Sequence, residues 1–187
     1  MHVCMTYLNP GDKVLIPNPG YPTYRSAATI AGGVCVDYLL REKNGWMPDF
    51  DEIERQGLDG VKMMIVNFPH MPTGAAPRKG LFRDLVAFAR RNGILLLHDN
   101  PYSFIRNEHP ESLLATEGAK EVALELNSLS KSHSMAGWRI GMLAGAKERI
   151  DEVIRFKSNM DSGIFYPMQA AAAEALDLDE EWYRDLN

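Results

Sequence analysis

Residues 94–101, ILLLHDNP, put four consecutive aliphatic side chains between a glycine-terminated amphipathic segment and an Asp-Asn-Pro turn. Successive side chains of a strand point to opposite faces, so a strand that is apolar on both faces must be covered on both. That requirement argues against a sheet with one wet face. Strand-like runs recur at KVLIPNP (13–19), VCVDYLL (34–40), VKMMIVNFP (61–69), VALELNSLS (122–130) and WRIGMLAG (138–145). Helical patterns occupy YRSAATIAGG (24–33), PDFDEIERQ (48–56), LFRDLVAFARRNG (81–93), KERIDEVIRFKSNM (147–160) and YPMQAAAAEALDL (166–178). The amphipathic segment 81–93 is the clearest helix, with Leu81, Leu85 and Phe88 on one stripe and a cationic last turn before Gly93. Strands separated by helices of this length predict βαβ units. The expected fold is α/β, a three-layer α/β/α arrangement around a mostly parallel sheet.

Composition narrows the function classes. The chain has 187 residues, 45% hydrophobic and 24% charged, with a formal net charge of −5. This is the composition of a folded globular chain, and it gives no electrostatic reason to expect nucleic acid as a partner. No apolar run approaches the roughly 18–20 residues of a membrane span, and the N-terminus lacks the basic region of a signal peptide. Cys4 and Cys35 are too few for a disulfide framework and read as buried thiols. The default location is cytoplasmic. The acidic stretch DLDEEWYRD (177–185) is the nearest thing to a linker.

In open parallel sheets, ligands bind beyond the carboxyl ends of the strands. NPGYP, FPHMPTG, HDNPY and SLSKS each follow a predicted strand. Asp99 emerges from a buried run, where an unpaired carboxylate is costly, so it is either a turn aspartate or the partner of a buried cation. Tyr102 can direct its hydroxyl to the same place or simply pack. Ser128, Ser130 and Arg139 suit an anion, because hydroxyls donate to phosphate oxygens and a guanidinium can bind two at once. The glycine-lysine order of a nucleotide-binding loop is missing from both GAAPRKG and LSKS. Lys131 beside an anion site, facing an acid and a tyrosine, suggests an amine nucleophile. A lysine near other cations and partly desolvated keeps more of its amine free to attack a carbonyl. His70, His98 and His133 neighbour these residues, but no zinc-binding spacing accompanies them. Ser132 and His133 lack the strand-turn-helix elbow of a hydrolase nucleophile.

SLSKSHSMAGWRIG, together with NPGYPTY and DNPY, resembles the class I/II aminotransferases. These are fold-type I proteins dependent on pyridoxal 5′-phosphate (PLP). The likeness is greatest to the branch of aspartate, methionine and LL-diaminopimelate aminotransferases, and it covers essentially the whole chain. It implies that Lys131 forms the internal aldimine with PLP and that Ser128, Ser130 and Arg139 hold the phosphate. It also implies that Asp99 pairs with the pyridine nitrogen, Tyr102 bonds the phenolic oxygen and Tyr21 stacks on the ring. The implied substrates are an amino acid and a 2-oxo acid, and the implied assembly is a homodimer of the full-length protein. The same large domain also serves PLP-dependent C–S lyases and the sensor domains of certain transcription regulators.

Two departures stand out. The family usually reads Asn-Pro-Thr-Gly where this chain has Met71-Pro72-Thr73-Gly74, and a thioether cannot donate the hydrogen bond an asparagine would. Family members are also about twice this length. On that comparison residues 1–178 are a partial PLP-binding large domain and 179–187 start the connection to a small domain. The expectation is that these residues do not transaminate by themselves.

Overall fold

The computed structural model describes residues 1–187. Six strands form one sheet: β1 (Lys13–Asn18), β2 (Val34–Leu39), β3 (Val61–Val66), β4 (Leu95–Asp99), β5 (Ala123–Ser128) and β6 (Gly141–Gly145). Their order is β2-β1-β3-β4-β5-β6. All neighbouring pairs are parallel except β5 with β6. The helices are α1 (His2–Tyr7), α2 (Pro22–Ile30), α3 (Phe50–Arg55), α4 (Leu81–Asn92), α5 (Ala119–Val122), α6 (Leu129–Ser132), α7 (Lys147–Met160), α8 (Tyr166–Leu176) and α9 (Glu180–Leu186). The fold is the three-layer α/β/α arrangement that β4 demands. No helix is long and apolar enough to cross a membrane.

β4 shows why two layers are needed. Leu95 and Leu97 pack with Val3 and Cys4 of α1, Ala27 and Ala28 of α2 and Val153 of α7. Leu96 packs on the other face with Ile53 of α3 and Leu85 and Phe88 of α4. The neighbouring strands repeat the alternation: Met63 and Ile65 face the first layer, Met64 and Val66 the second. Strand parity therefore assigns the residues beyond the core. Asp99 continues the Leu95–Leu97 face and His98 the Leu96 face.

The α4 stripe is as expected, with Leu81, Leu85 and Phe88 at 1%, 0% and 1% exposure. Gly93 ends the helix in the left-handed conformation, φ 64°, where its amide caps the last turn. α3 starts at the Asp49 carboxylate, which accepts from the Glu52 amide at 2.9 Å.

Elsewhere the chain departs from the sequence expectations. The strand expected through Ser130 stops at Ser128, whose hydroxyl accepts from the Ser130 amide at 3.1 Å and starts the single turn α6. The strand expected from Trp138 begins at Gly141, because Ala136–Trp138 form a 3-10 turn and Arg139 adopts φ 56°, which an extended chain cannot continue through. Cys4 is buried, but Cys35 is only partly covered because β2 is an edge strand. The stretch expected as a linker contains α9, capped by the Asp179 side chain.

Leu85→Ala should cost about 2–5 kcal/mol of stability in denaturant titration, since it leaves a void between α4 and the sheet. Arg83→Ala, on the exposed face of the same helix, should stay within about 0.5 kcal/mol.

Candidate active site

The seven candidate residues Tyr21, Asp99, Tyr102, Ser128, Ser130, Lys131 and Arg139 line a single cavity of about 330 Å³. Tyr24, Met71, Pro101 and Ala136 complete its wall. The cavity lies at the carboxyl ends of β1, β4 and β5, and Met71 reaches it from the turn after β3. A larger cavity of about 660 Å³ lies between α1, α7, β5 and β6. Its lining is mostly apolar and contains none of the seven.

Asp99 sits at the floor. Parity on β4 carries it toward α2, where the Tyr24 hydroxyl donates to its Oδ2 at 2.7 Å. Its backbone carbonyl accepts from Asn67 Nδ2 at 2.7 Å, and Asn67 Oδ1 in turn accepts from the Met71 amide at 2.8 Å. One buried asparagine thus ties the Asp99 strand end to the Met71 turn. Burial pushes the Asp99 carboxyl above its ordinary value, against a smaller opposing effect of the Tyr24 hydrogen bond. Burial, then the Asp99 charge, pushes the Tyr24 hydroxyl far up, so it remains a donor at any ordinary pH. The Tyr102 hydroxyl is raised by the same two causes.

The opposite wall is α6 with the turn before β6. The Ser128 hydroxyl donates to Ser130 Oγ at 2.9 Å. Arg139 Nη1 donates to the Ala136 carbonyl at 2.9 Å, which leaves the rest of its guanidinium facing outward. Lys131 is exposed, so the chain by itself does not supply the desolvation expected for it. Tyr21 is 45% exposed and meets Tyr24 edge-on, with centroids 5.7 Å apart.

None of the three histidines lines the cavity. His98 is fully buried on the far face of β4, where Nδ1 donates to Glu125 Oε2 at 3.0 Å and Nε2 accepts from the Phe68 amide at 3.3 Å. Glu125 also accepts from the Leu113 amide at 2.8 Å and from Asn100 Nδ2 at 3.3 Å. Burial raises the Glu125 carboxyl, but hydrogen bonds led by that of His98 outweigh it and hold it below its ordinary value. This buried pair anchors the loop that follows Asp99. His70 bonds Thr73 at 2.8 Å, and His133 packs against α9. Sequence reading missed Tyr24, Asn67 and Glu125. Tyr24 alone had a local signal, lying in the first turn of the helix that Tyr21 precedes.

Neither Asp99, Lys131 nor Arg139 forms an ion pair within the chain. A half-buried carboxylate without a cation thus shares a cavity with an amine and a guanidinium without carboxylates. That donor set fits a molecule carrying a cationic ring nitrogen, an aldehyde and a phosphate. The family model described as aminotransferase class I and II matches residues 2–186. The chain belongs to this PLP-dependent family. It is 39% identical over 187 residues to an LL-diaminopimelate aminotransferase of Natranaerobius thermophilus, covering 99% of this chain and 48% of the relative. It is 41% identical over 182 residues to that of Aquifex aeolicus, covering 96% and 47%. Substrate-bound BacF from Bacillus subtilis superposes with a TM-score of 0.95 at 39% identity, over 99% of this chain and 47% of that one. A single mutant of Thermus thermophilus aspartate aminotransferase gives 0.89 at 30% identity, over 99% and 48%. The chain spans about half the length of the curated relatives it matches.

Asp99 generates a pH prediction for the cofactor-free protein. A carboxyl whose folded pKa is raised destabilises the fold above its unfolded pKa, because the native state there must hold the charge at a cost. Between the two values the native state binds more protons, so its stability falls as pH rises. Asp99→Asn should therefore melt higher than wild type at pH 7. The gain should shrink as pH falls through the raised folded value and vanish below the ordinary carboxylate range. Thermal melts across pH measure this, and a variant less stable at pH 7 would contradict the assigned cost.

Proposed function

We propose that the protein transfers an amino group between an amino acid and a 2-oxo acid, with PLP held between Asp99 and the α6 turn. The observation that carries this reading is the uncompensated Asp99 carboxylate in the same cavity as the unpaired Lys131 and Arg139. The relatives' shared name makes LL-diaminopimelate the first amino donor to test. When bound, PLP supplies an aldehyde carbon for amines to join and a protonated ring that accepts electrons from the substrate.

The family resemblance suggests the role of each residue, and their shared cavity supports it. Asp99 holds the proton on the ring nitrogen, and the cation in return offsets the carboxylate's burial. Tyr24 fixes which Asp99 oxygen faces the ring by occupying Oδ2. Tyr102 donates to the phenolic oxygen, and Tyr21 covers one face of the ring. Ser128, Ser130 and Arg139 would receive the phosphate, the guanidinium offering the donors that Ala136 does not use. Lys131 would hold the group through its amine at the aldehyde carbon, with water leaving. Once the substrate's amine took that place, the free lysine would be the base that moves a proton at the substrate Cα.

Borohydride reduction of the PLP-treated protein should fix the cofactor on the peptide containing Lys131, with Lys131→Ala abolishing the label. Label at another lysine, unchanged in Lys131→Ala, would overturn the reading. Met71, on the cavity wall, lacks a donor. Met71→Asn should tighten PLP binding by about 1–3 kcal/mol through one hydrogen bond to a charged oxygen. Absorbance titration of the two proteins checks this, and equal or weaker affinity in the variant would contradict it.

A further inference from the structure

α6, which carries Lys131, is one turn of helix. A single turn is not stable by itself, because nucleation fixes several residues for one hydrogen bond. Its last carbonyls also need donors from outside the helix. The N-terminal end is held by the Ser128 cap. At the C-terminal end the Leu129 and Lys131 carbonyls accept from the amides of His133, Met135 and Ser134, and the Ser132 carbonyl is served by α9. Trp182 Nε1 donates to the Ser132 carbonyl at 2.8 Å, across 50 positions of sequence. The Trp182 ring lies nearly parallel to His133, at 12° with centroids 6.3 Å apart. The neutral form of His133, favoured by burial, bridges Ser132 Oγ at 2.9 Å and the Tyr183 hydroxyl at 3.3 Å.

The same helix grips the other wall. The Tyr183 ring stacks on Phe104 at 5.0 Å and 23°. Asn187, just past α9, donates from Nδ2 to the Phe104 carbonyl at 2.9 Å. Phe104 is two residues from Tyr102. α9 therefore touches both the Lys131 turn and the Tyr102 loop, and Lys131 and Tyr102 both line the cavity.

We propose that α9 is a strap that sets the position of Lys131 relative to Tyr102, with Trp182 as the positioning residue for the Lys131 turn. What Lys131 is positioned for rests on the functional reading above; the mechanical link does not. Neither Trp182 nor Tyr183 lines the cavity.

The test uses the 187-residue chain in three forms. Trp182→Phe keeps the ring against His133 and deletes the indole N–H. Tyr183→Phe deletes only the hydroxyl and keeps the stack on Phe104. Ile53→Val is a core lesion of α3, remote from the site, that lowers global stability. Without cofactor, hydrogen exchange across residues 129–135 should speed up about fivefold in Trp182→Phe, the value of one net hydrogen bond. It should rise less in Tyr183→Phe. In Ile53→Val that segment should speed up no more than the rest of the chain does, whereas in Trp182→Phe the rise should be confined to it. With PLP, Trp182→Phe should bind about fivefold more weakly and fix more slowly on Lys131 under borohydride, with Ile53→Val near wild type. Unchanged exchange across 129–135 in Trp182→Phe, or a rise there no greater than in the rest of the same variant, would overturn the strap even if wild type takes up PLP. Exchange as expected in a chain that takes up no PLP would support the strap and count against the functional reading.

Discussion

β4 has apolar side chains on both faces, and the rest of the architecture answers that demand. Leu95 and Leu97 need one helical layer, Leu96 needs another, and parallel crossovers are the chain path that delivers helices to both sides. The consequence for function lies at the strand's end. Where the apolar run stops, the alternation does not. Asp99 is delivered to the α2 side and His98 to the α4 side, one into a cavity and the other into the core.

The two faces treat their polar residues differently. Under the sheet, the Glu125 carboxylate is surrounded by donors from His98, Asn100, Asn127 and the Leu113 amide, so its charge is satisfied within the chain. Above the sheet, the Asp99 carboxylate has the Tyr24 hydroxyl as its only donor, and burial raises it. A satisfied buried carboxylate is structural. A half-buried one without a cation holds a cost that a ligand can remove. That contrast, between neighbouring strands of one sheet, distinguishes the site from its support.

Most of the fold was legible because its signals are local. Strand runs, the α4 stripe and the Gly93 stop each depend on residues near one another in sequence. The candidate residues were legible through motif likeness, and the cavity gathers all seven. The supporting residues were not. Asn67 reads as the tail of a strand, and Glu125 as one polar position in an alternating run. Their partners lie 32 and 27 positions away. The serines around Lys131 misled the strand boundary, because a serine that could extend a strand can equally cap a helix, and the choice rests on what its hydroxyl finds.

By itself the sequence determined the layers, the nearly parallel sheet and the strand ends at which Asp99, Tyr102 and Lys131 lie, since hydrophobic period and turn chemistry act over a few residues. Only the tertiary structure decided that Asp99 would face Tyr24 without a cation, that the histidines would lie outside the cavity, and that an acidic segment read as a linker would fold back as α9 against the Lys131 turn. Those outcomes depend on contacts between segments far apart in the chain, where burial and hydrogen-bond geometry are fixed by packing and leave no local trace.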